Sequence, residues 1–298
     1  MSQAPQYRKK TPRRQTESTP MRIVFLGDIV GRSGRDAVLQ FLPRIKTELA
    51  PDAIIVNGEN AAGGFGITDK IAQEFFAAGI DAITLGNHVW DQKELVTTID
   101  REPRLFRPLN YPDNTPGRGC GVITTRTGRK VLVITLILRL FMDLADDPFA
   151  AVERVLRLYR LGCGGIDAIV VDAHGEATSE KMAMGHFLDG RVSLIAGSHS
   201  HIPTADWMIL SGGSAYITDA GMCGDYNSVI GMKKENAVTR FLRRVPTERM
   251  SPSDGEGTVC GVMIDTNAQT GLARRIAPIR IGGKWLSGAF PNTLDTET

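Results

Sequence analysis

The stretch Ile23-Val24-Phe25-Leu26-Gly27-Asp28 begins the pattern that decides the fold, because a short apolar run passes directly into a glycine and a carboxylate. The four apolar residues are typical of a buried β-strand. Residues 35–49, which follow, carry apolar side chains at helical spacing. A strand, a polar turn and a helix in this order indicate an α/β fold with parallel strands.

The same passage from an apolar run to polar residues recurs at four later points. Ala53–Val56 runs into Asn57-Gly58-Glu59-Asn60, Ala82–Leu85 into Gly86-Asn87-His88, Ala168–Val171 into Asp172-Ala173-His174, and Val192–Ala196 into Gly197-Ser198-His199-Ser200-His201. Because the carboxyl ends of parallel strands meet at one edge of an open sheet, we expect these side chains to lie together. Four of the five histidines occupy such positions. Five coincident strand ends are hard to ascribe to chance.

Helices separate the predicted strands, and further β-rich runs follow them. Helices are predicted over residues 35–49, 70–78, 92–99, 148–161 and 179–188. Additional strands are predicted over residues 121–125, 130–135, 206–210, 215–218, 258–265 and 273–281, the first two as an antiparallel pair. We expect a parallel α/β sheet and a second, mixed or antiparallel sheet from the later runs. Residues 243–256 are the expected long surface loop.

The first 20 residues differ from the rest in charge and composition. They carry five basic residues and one acidic residue, a charge of +4, so the other residues sum to −2 in a chain of net charge +2. Such a polar stretch cannot bury enough surface to fold, and we predict that it is disordered. We expect one domain over residues 21–285 and a flexible tail over 286–298. We expect no nucleic-acid partner for the rest of the chain, and the basic tail is the only feature that favours one.

Neither a membrane span nor a disulfide framework is predicted. The most apolar run, Val131–Leu138, is far shorter than the ~20 residues that a spanning helix needs. Cys120, Cys163, Cys223 and Cys260 are scattered and form no CxxC pair. We expect a reduced, cytoplasmic protein without a membrane partner.

Each candidate ligand has a structural alternative when it is considered alone. Asp28 suits a turn, Asn87 a helix cap and Glu59 a solvated loop. A lone histidine such as His174 is more often structural than a ligand. His199-x-His201 is a stronger signal, because alternate side chains of an extended segment share one face.

Two glycine-rich stretches are candidate phosphate loops. Residues 27–34 lie between a strand and a helix but match neither GxGxxG nor GxxxxGK[ST]. Asp28 would repel a phosphate at a bare helix N-terminus, whereas with a metal bound it would anchor the cation. Residues 61–68 lie beside Glu59 and Asn60, and they either cover the site or form a plain loop.

The candidate ligands together indicate a metal centre. They are Asp28, Glu59, Asn60, Asn87, His174, His199 and His201. Carboxylate, amide and imidazole groups without a thiolate favour Mn²⁺, Fe or Zn²⁺. Seven ligands exceed one tetrahedral zinc but suit two ions that share a carboxylate, an arrangement that activates a bridging hydroxide for phosphoryl displacement. His88 is placed to protonate the leaving group as general acid, and His186 is assigned a structural role.

Gly86-Asn87-His88 and the late Gly197-x-His199-x-His201 resemble the calcineurin-like metallophosphoesterases. Those enzymes normally carry Asp-x-His and Gly-Asp-x-x-Asp, where this chain has Asp28-Ile-Val30 and Gly58-Glu59-Asn60. The departures resemble the bacterial YmdB-type phosphodiesterases over nearly all of residues 21–281. The supporting motifs are GDIVG at 27–31, NGENAA at 57–62, GNHVWD at 86–91, DDPF at 146–149, EATSEK at 176–181 and ITDAGM at 217–222.

The resemblance implies an α/β protein built as a four-layer α/β/β/α sandwich of two mixed sheets. It implies a homo-oligomeric phosphodiesterase with two iron or manganese ions, or alternatively zinc, acting on 2′,3′-cyclic nucleotides. One metal would be held by Asp28, Asn60 and His201, and the other by Asn87, His174 and His199. Glu59 would bridge the two metals, and His88 would donate a proton.

Two other functions remain open from the sequence. One is a broad phosphomonoesterase or nucleotidase, and the other is a metal-binding regulatory protein that acts through RNA or a partner. One segment also departs from the family pattern. Residues 135–145, Thr-Leu-Ile-Leu-Arg-Leu-Phe-Met-Asp-Leu-Ala, replace an expected segment that contains glycine and proline.

Overall fold

The computed structural model describes residues 20–243 and 248–283. The predicted disorder of the first residues (apart from Pro20) and the predicted flexible tail over 286–298 fall outside these ranges. Within them, no helix combines the length and the apolar character that crossing a membrane requires. The four cysteines all lie in the described part, and each is a free thiol.

Strands and helices alternate through most of the described chain. The strands are β1 (Arg22–Leu26), β2 (Asp28–Ile29), β3 (Ala53–Asn57), β4 (Ala82–Thr84), β5 (Leu105–Phe106), β6 (Cys120–Thr124), β7 (Lys130–Ile137), β8 (Ala168–His174), β9 (Leu194–Ser198), β10 (Met208–Ile209), β11 (Ala215–Ile217), β12 (Met222–Cys223), β13 (Thr258–Thr266) and β14 (Ala273–Gly282). The helices are α1 (Gly31–Leu49), α2 (Asp69–Ala78), α3 (Leu95–Thr98), α4 (Pro148–Leu158), α5 (Thr178–Leu188) and α6 (Lys234–Arg243), with a 3₁₀ turn at Ile99–Arg101.

The strands form two six-stranded mixed sheets and one short pair. The first sheet has the order β14-β13-β1-β3-β4-β5, and β1, β3, β4 and β5 run parallel. The second has the order β10-β11-β9-β8-β7-β6, and β11, β9, β8 and β7 run parallel. In the first sheet β13 pairs antiparallel with both β1 and β14, and in the second sheet the edge strands β10 and β6 pair antiparallel with β11 and β7. The pair β12–β2 is parallel.

Three apolar clusters occupy the faces of these sheets. Along β1, Ile23 and Phe25 belong to a cluster shared with residues of the second sheet, whereas Val24 and Leu26 belong to a cluster shared with α1 and α2. The outer face of the second sheet forms a third cluster with α4 and α5. Burial on both faces explains why the central strands read as continuous apolar runs.

Local signals set the ends of two helices. The Thr68 hydroxyl accepts a hydrogen bond from the Ile71 amide at the start of α2, and Gly79 ends that helix at φ 92°. Asp147 caps the first turn of α4, where Pro148 takes the first position. A polar cap, a proline in the first turn and a left-handed glycine at the end are the preferred residues at these positions.

Most predicted elements are present, and one of the exceptions has a local cause. The predicted helix over residues 92–99 is wrong in extent, since α3 has only four residues. Its residues are mostly β-branched, and the hydroxyls of Thr97 and Thr98 bond back to the Glu94 carbonyl, which weakens a helix. Helix α6 was not predicted. The predicted strand over 206–210 is reduced to β10.

The expected second, mixed sheet is present, but the later β-runs supply only part of it. Strands β10 and β11 extend the second sheet, while β13 and β14 extend the first beside β1. Strand β1 pairs along its full length with residues 261–265 of β13, with Ile23 opposite Ile264. These pairings join segments that are far apart in sequence, and an apolar pattern cannot specify them.

Candidate metal centre

The predicted strand ends come from both sheets and meet at one place. Asp28 lies in β2 directly after β1, Glu59 and Asn60 follow β3, Asn87 and His88 follow β4, His174 ends β8, and His199 and His201 follow β9. Strands β1, β3 and β4 belong to the first sheet, and strands β8 and β9 belong to the second. The candidate site therefore lies where the carboxyl ends of two parallel strand sets come together.

His174 is the centre of the cluster and is fully buried. Its Nε2 lies 2.9 Å from Asn87 Oδ1, 3.1 Å from Glu59 Oε1 and 3.2 Å from His199 Nδ1. Asp28 Oδ1 lies 3.9 Å from His174 Nδ1, and Asp28 Oδ2 accepts a hydrogen bond from the His199 amide. Potential ligand atoms of Glu59, His174 and His199 all lie within 4.8 Å of one another. The structure thus brings five of the seven candidate ligands into direct proximity.

The other two candidates border this group. Asn60 is buried next to Glu59, and its amide donates to the Gly64 carbonyl at 3.0 Å. His201 is also buried. Predicted structural residue His186 lies instead on the exposed side of α5.

Each of the three clustered imidazoles has one ring nitrogen engaged by an acceptor. His174 Nδ1 lies 2.9 Å from Ser198 Oγ, His199 Nε2 lies 3.2 Å from Glu176 Oε2, and His201 Nδ1 lies 2.8 Å from the Ile230 carbonyl. A nitrogen that donates in this way leaves the other nitrogen of a neutral imidazole with a free lone pair. Metal-ligating histidines almost always have such a partner, which sets their tautomer and orientation.

Three buried oxygen atoms of the predicted ligands accept no hydrogen bond: Asp28 Oδ1, Glu59 Oε1 and Asn60 Oδ1. Such a buried acceptor costs about 1–3 kcal/mol when it is left without a partner. A cation held by these oxygens would remove that cost. The combination of orphaned oxygens and oriented imidazoles therefore fits a metal-binding site, and its oxygen and nitrogen donors suit Mn²⁺, Fe or Zn²⁺.

The charged groups of the cluster perturb one another strongly. Burial raises the pKa of Asp28 to about 7, against the effect of the neighbouring histidines. Burial also opposes ionisation of Glu59, but His174 outweighs it and lowers the pKa of Glu59 to about 2. Burial disfavours the His174 cation, yet Glu59 and Asp28 raise its pKa to about 9, while burial and His174 lower the pKa of His199 to about 3. The buried carboxylates thus draw one positive charge into the cluster, a compensation that a bound cation would also supply.

Gly86 allows the ligands to approach the backbone. A Cβ atom at this position would collide with Glu59 Oε2 and with the His174 ring. Any side chain at residue 86 would therefore displace two predicted ligands. The glycine before Asn87 has a steric reason that the sequence pattern did not reveal.

His88 lies at the edge of the cluster and is partly exposed. Its amide donates to Glu59 Oε2 at 3.1 Å, and its Nδ1 lies 2.9 Å from Asp91 Oδ2. The Phe65 ring contacts the His88 ring edge-on, with centroids 5.1 Å apart. Asp91 was not assigned a role from the sequence, although only three positions separate it from His88.

The loop that carries His199 and His201 has an unusual backbone and a buried support. His199 and His201 adopt positive φ values of 94° and 64°, which non-glycine residues seldom adopt. Between them, the Ser200 amide and hydroxyl donate to Asp219 Oδ2 at 3.0 and 2.7 Å. Asp219 pairs in turn with Lys181 at 2.9 Å, and both side chains are buried. A buried ion pair therefore anchors the loop. Its two residues lie in the motifs EATSEK and ITDAGM, but the sequence did not indicate that they pair.

The glycine-rich stretch 61–68 and the atypical segment 135–145 both lie near the site. Residues 61–68 approach His88 through Phe65, and Gln92 Nε2 donates to the Phe65 carbonyl at 2.8 Å. The atypical segment begins inside β7, and the Leu138 amide then donates to the His174 carbonyl at 2.8 Å. After Leu138, the same segment carries Phe141 and Leu144, whose exposed fractions are 87% and 102%. This segment thus presents apolar side chains next to the strand end that carries His174.

Comparison with known proteins gives an independent view of the chain. The profile of the YmdB-like protein family matches residues 24–279. The chain is 44% identical over 261 residues to the 2′,3′-cyclic-nucleotide 2′-phosphodiesterase of Bacillus subtilis (strain 168), and the match covers 88% of this chain and 97% of that protein.

Two crystal structures resemble the fold closely. A hypothetical protein from Thermus thermophilus has a TM-score of 0.81 and 38% identity, covering 89% of this chain and 100% of the other. A structure described as a novel phosphatase of Mycoplasma pneumoniae has a TM-score of 0.80 and 32% identity, covering 89% and 94%. The similarity therefore extends over almost the whole described chain.

Proposed function

The chain belongs to the YmdB-like family and is a phosphodiester hydrolase, and from that premise we propose that it hydrolyses 2′,3′-cyclic nucleotides at a two-metal centre. The relative from Bacillus subtilis carries that substrate class in its name. The metal ions, the substrate and the residue roles below belong to this proposal.

One observation carries the two-metal proposal: the buried oxygen and nitrogen atoms of the cluster have more lone pairs than there are protons to share with them. Three buried oxygens, on Asp28, Glu59 and Asn60, accept no hydrogen bond. His174 Nε2 also lies 2.9 Å from Asn87 Oδ1 and 3.2 Å from His199 Nδ1, and these atoms share too few protons to satisfy them all. These buried oxygen and nitrogen atoms with unshared lone pairs support the proposal that the site holds more than one cation.

We assign the ligands as the family pattern implies. Asp28, Asn60 and His201 would hold one ion, Asn87, His174 and His199 the other, and Glu59 would bridge them. When bound, two divalent ions supply Lewis-acid activation of water and stabilise charge on the transferring phosphoryl group. We propose iron or manganese, with zinc as the alternative, because no thiolate contributes to the site.

His88 is the proposed proton donor to the leaving oxygen. Its side chain is partly exposed, so a substrate can reach it, and its amide bond to Glu59 places it beside the predicted ligands. The 2.9 Å contact between Nδ1 and Asp91 leaves Nε2 as the nitrogen available for proton transfer. An imidazole held by a carboxylate in this way is a common general acid.

The three apolar clusters support a four-layer α/β/β/α arrangement. One cluster lies between the sheets and the other two lie between a sheet and its helices. Self-association and a cytoplasmic location stay predictions from the sequence, as does RNA contact through residues 1–20.

Turnover by metal-loaded protein tests the proposal directly. Purified protein with Mn²⁺ is incubated with 2′,3′-cyclic AMP and with bis-p-nitrophenyl phosphate, and metal content is measured by elemental analysis. We expect hydrolysis of both, with a preference for the cyclic nucleotide. Protein that holds two metals yet turns over neither substrate would contradict the proposal, and a preference for phosphomonoesters would favour the nucleotidase alternative.

A further inference from the structure

A buried polar network lies directly beneath the candidate metal centre. Along β3, β4, β8 and β9, the positions that face the other sheet change from apolar to polar at the carboxyl end of the strand. On β8, Ala168 and Val170 belong to the cluster between the sheets, and Asp172 and His174 continue the same face. Polar residues in the equivalent places on the other strands are Asn57, Thr84 and Ser198. Every one of these polar side chains is fully buried.

Asp172 is the acceptor at the centre of this network. Its Oδ2 accepts from Asn57 Nδ2 at 3.0 Å and from Thr84 Oγ1 at 2.5 Å. Its Oδ1 accepts from Ser198 Oγ at 2.5 Å. Asn57 and Thr84 belong to the first sheet, whereas Asp172 and Ser198 belong to the second. One carboxylate therefore joins the two sheets at the level of the site.

The network determines which nitrogen of His174 carries a proton. A serine hydroxyl has one proton, and Ser198 donates it to Asp172. The same oxygen lies 2.9 Å from His174 Nδ1, so it must accept from an Nδ1–H group. His174 Nε2, which faces Glu59, Asn87 and His199, is then the nitrogen with a free lone pair in the neutral ring. Asp172 sets this tautomer through Ser198.

A second arm of the network reaches Glu59. The Asn57 amide nitrogen donates to Asp172, and it also lies 3.5 Å from Ser198 Oγ. This orients the Asn57 carbonyl oxygen toward the backbone of the next turn, where it accepts from the Glu59 amide at 3.1 Å. The carboxylate of Asp172 is thus linked to one predicted ligand on each sheet.

We propose that Asp172, acting through Ser198 and Asn57, is a positioning residue that orients His174 and Glu59 for metal binding. It does not touch the substrate, and its effect is on the geometry and proton arrangement of the ligands. Partners of this kind raise metal affinity by about 10- to 100-fold in other metal sites. The inference rests on the proposed metal centre.

Metal affinity of the apoprotein separates this role from a structural one. Mn²⁺ is titrated into chelator-treated, folded protein by calorimetry, for the full chain and three variants: Ser198→Ala, Asp172→Asn and Thr84→Val. Thr84→Val is the matched control, because it removes a hydroxyl from the same buried carboxylate but lies on neither arm. We expect about 10- to 100-fold weaker binding for the first two variants and a change within about threefold for the control.

Two outcomes would overturn the inference: full Mn²⁺ affinity in folded Ser198→Ala protein, or an equal loss in the Thr84→Val control. If Asp172→Asn does not fold, Ser198→Ala still decides, since it removes only one oxygen atom. A wild-type protein that binds no Mn²⁺ would contradict the proposed function as well, so the two failures are distinguishable.

Discussion

Replacing Lys181 by methionine should destabilise the protein because it breaks a fully buried ion pair. Lys181 and Asp219 are 1% and 0% exposed, and Nζ lies 2.9 Å from the carboxylate and 2.7 Å from the Ser198 carbonyl. Removing one partner of a buried pair costs about 3–5 kcal/mol. Ser200 and Gly221 still donate to Asp219 afterwards. We therefore expect the lower end of the range, about 3 kcal/mol in the free energy of unfolding.

Urea unfolding followed by circular dichroism measures this loss. With about 2.1 cal/mol/K of unfolding entropy per residue, a chain of 298 residues loses about 1.6 °C of melting temperature per 1 kcal/mol, so Lys181→Met should melt about 5 °C lower. Lys233→Met is the matched control, because Lys233 pairs with Asp254 at 3.2 Å while 46% exposed. An exposed pair contributes about 0–1 kcal/mol.

Two results would refute this reasoning. One is a loss below about 1 kcal/mol in Lys181→Met, which would mean that the pair gains no more than a surface pair. The other is an equal loss in the Lys233→Met control. The site should respond as well, since Asp219 holds Ser200 between His199 and His201. We expect weaker Mn²⁺ binding by folded Lys181→Met protein, measured in the same titration.

The other predictions concern the site itself. His88→Ala should keep both metals and lower turnover of 2′,3′-cyclic AMP by about 10²–10⁴-fold, the usual effect of losing a general acid. Glu59→Ala should instead lower the metal content found by elemental analysis, and equal metal loss in both variants would contradict the division of roles. Gly86→Ala should abolish Mn²⁺ binding because a Cβ would displace Glu59 and His174, whereas Gly63→Ala, which has open space around it, should retain binding despite its positive φ. Metal at a free concentration of 100 times Kd should stabilise the folded protein by about 2.7 kcal/mol, so removing it with a chelator should lower the melting temperature. An unchanged melting temperature would show that the folded state does not bind the metals.

The buried networks explain how the candidate site is held in place. Two of its histidines lie on a loop with left-handed backbone, anchored by Asp219 and Lys181. His174 is held by the Asp172–Ser198 arm. Precise ligand placement comes from supporting groups whose own positions are locked by packing and hydrogen bonds. Substitutions in these supports should therefore affect the site without touching substrate.

The amino-acid sequence alone determined the local features of this protein. Short apolar runs followed by Gly-Asp, Glu-Asn, Asn-His and His-x-His predicted the strands and the polar residues at their ends. This was possible because the spacing of apolar residues along the chain depends directly on the local structure and its burial. The family followed from the same motifs, and the YmdB-like match over residues 24–279 confirms it. The residue types also restricted the chemistry to oxygen and nitrogen ligands.

Only the tertiary structure decided how these pieces pair and what supports them. Strand β13 lies beside β1, where Arg22 pairs with Asp265 from the far end of the chain. Asp172 joins Thr84 and Ser198 across two sheets, and Lys181 meets Asp219 beneath a loop. Such contacts depend on which strands and helices lie next to each other. One and the same pattern of apolar residues is compatible with many arrangements of these elements. Buried polar partners are therefore visible only once the fold brings distant segments within hydrogen-bond distance.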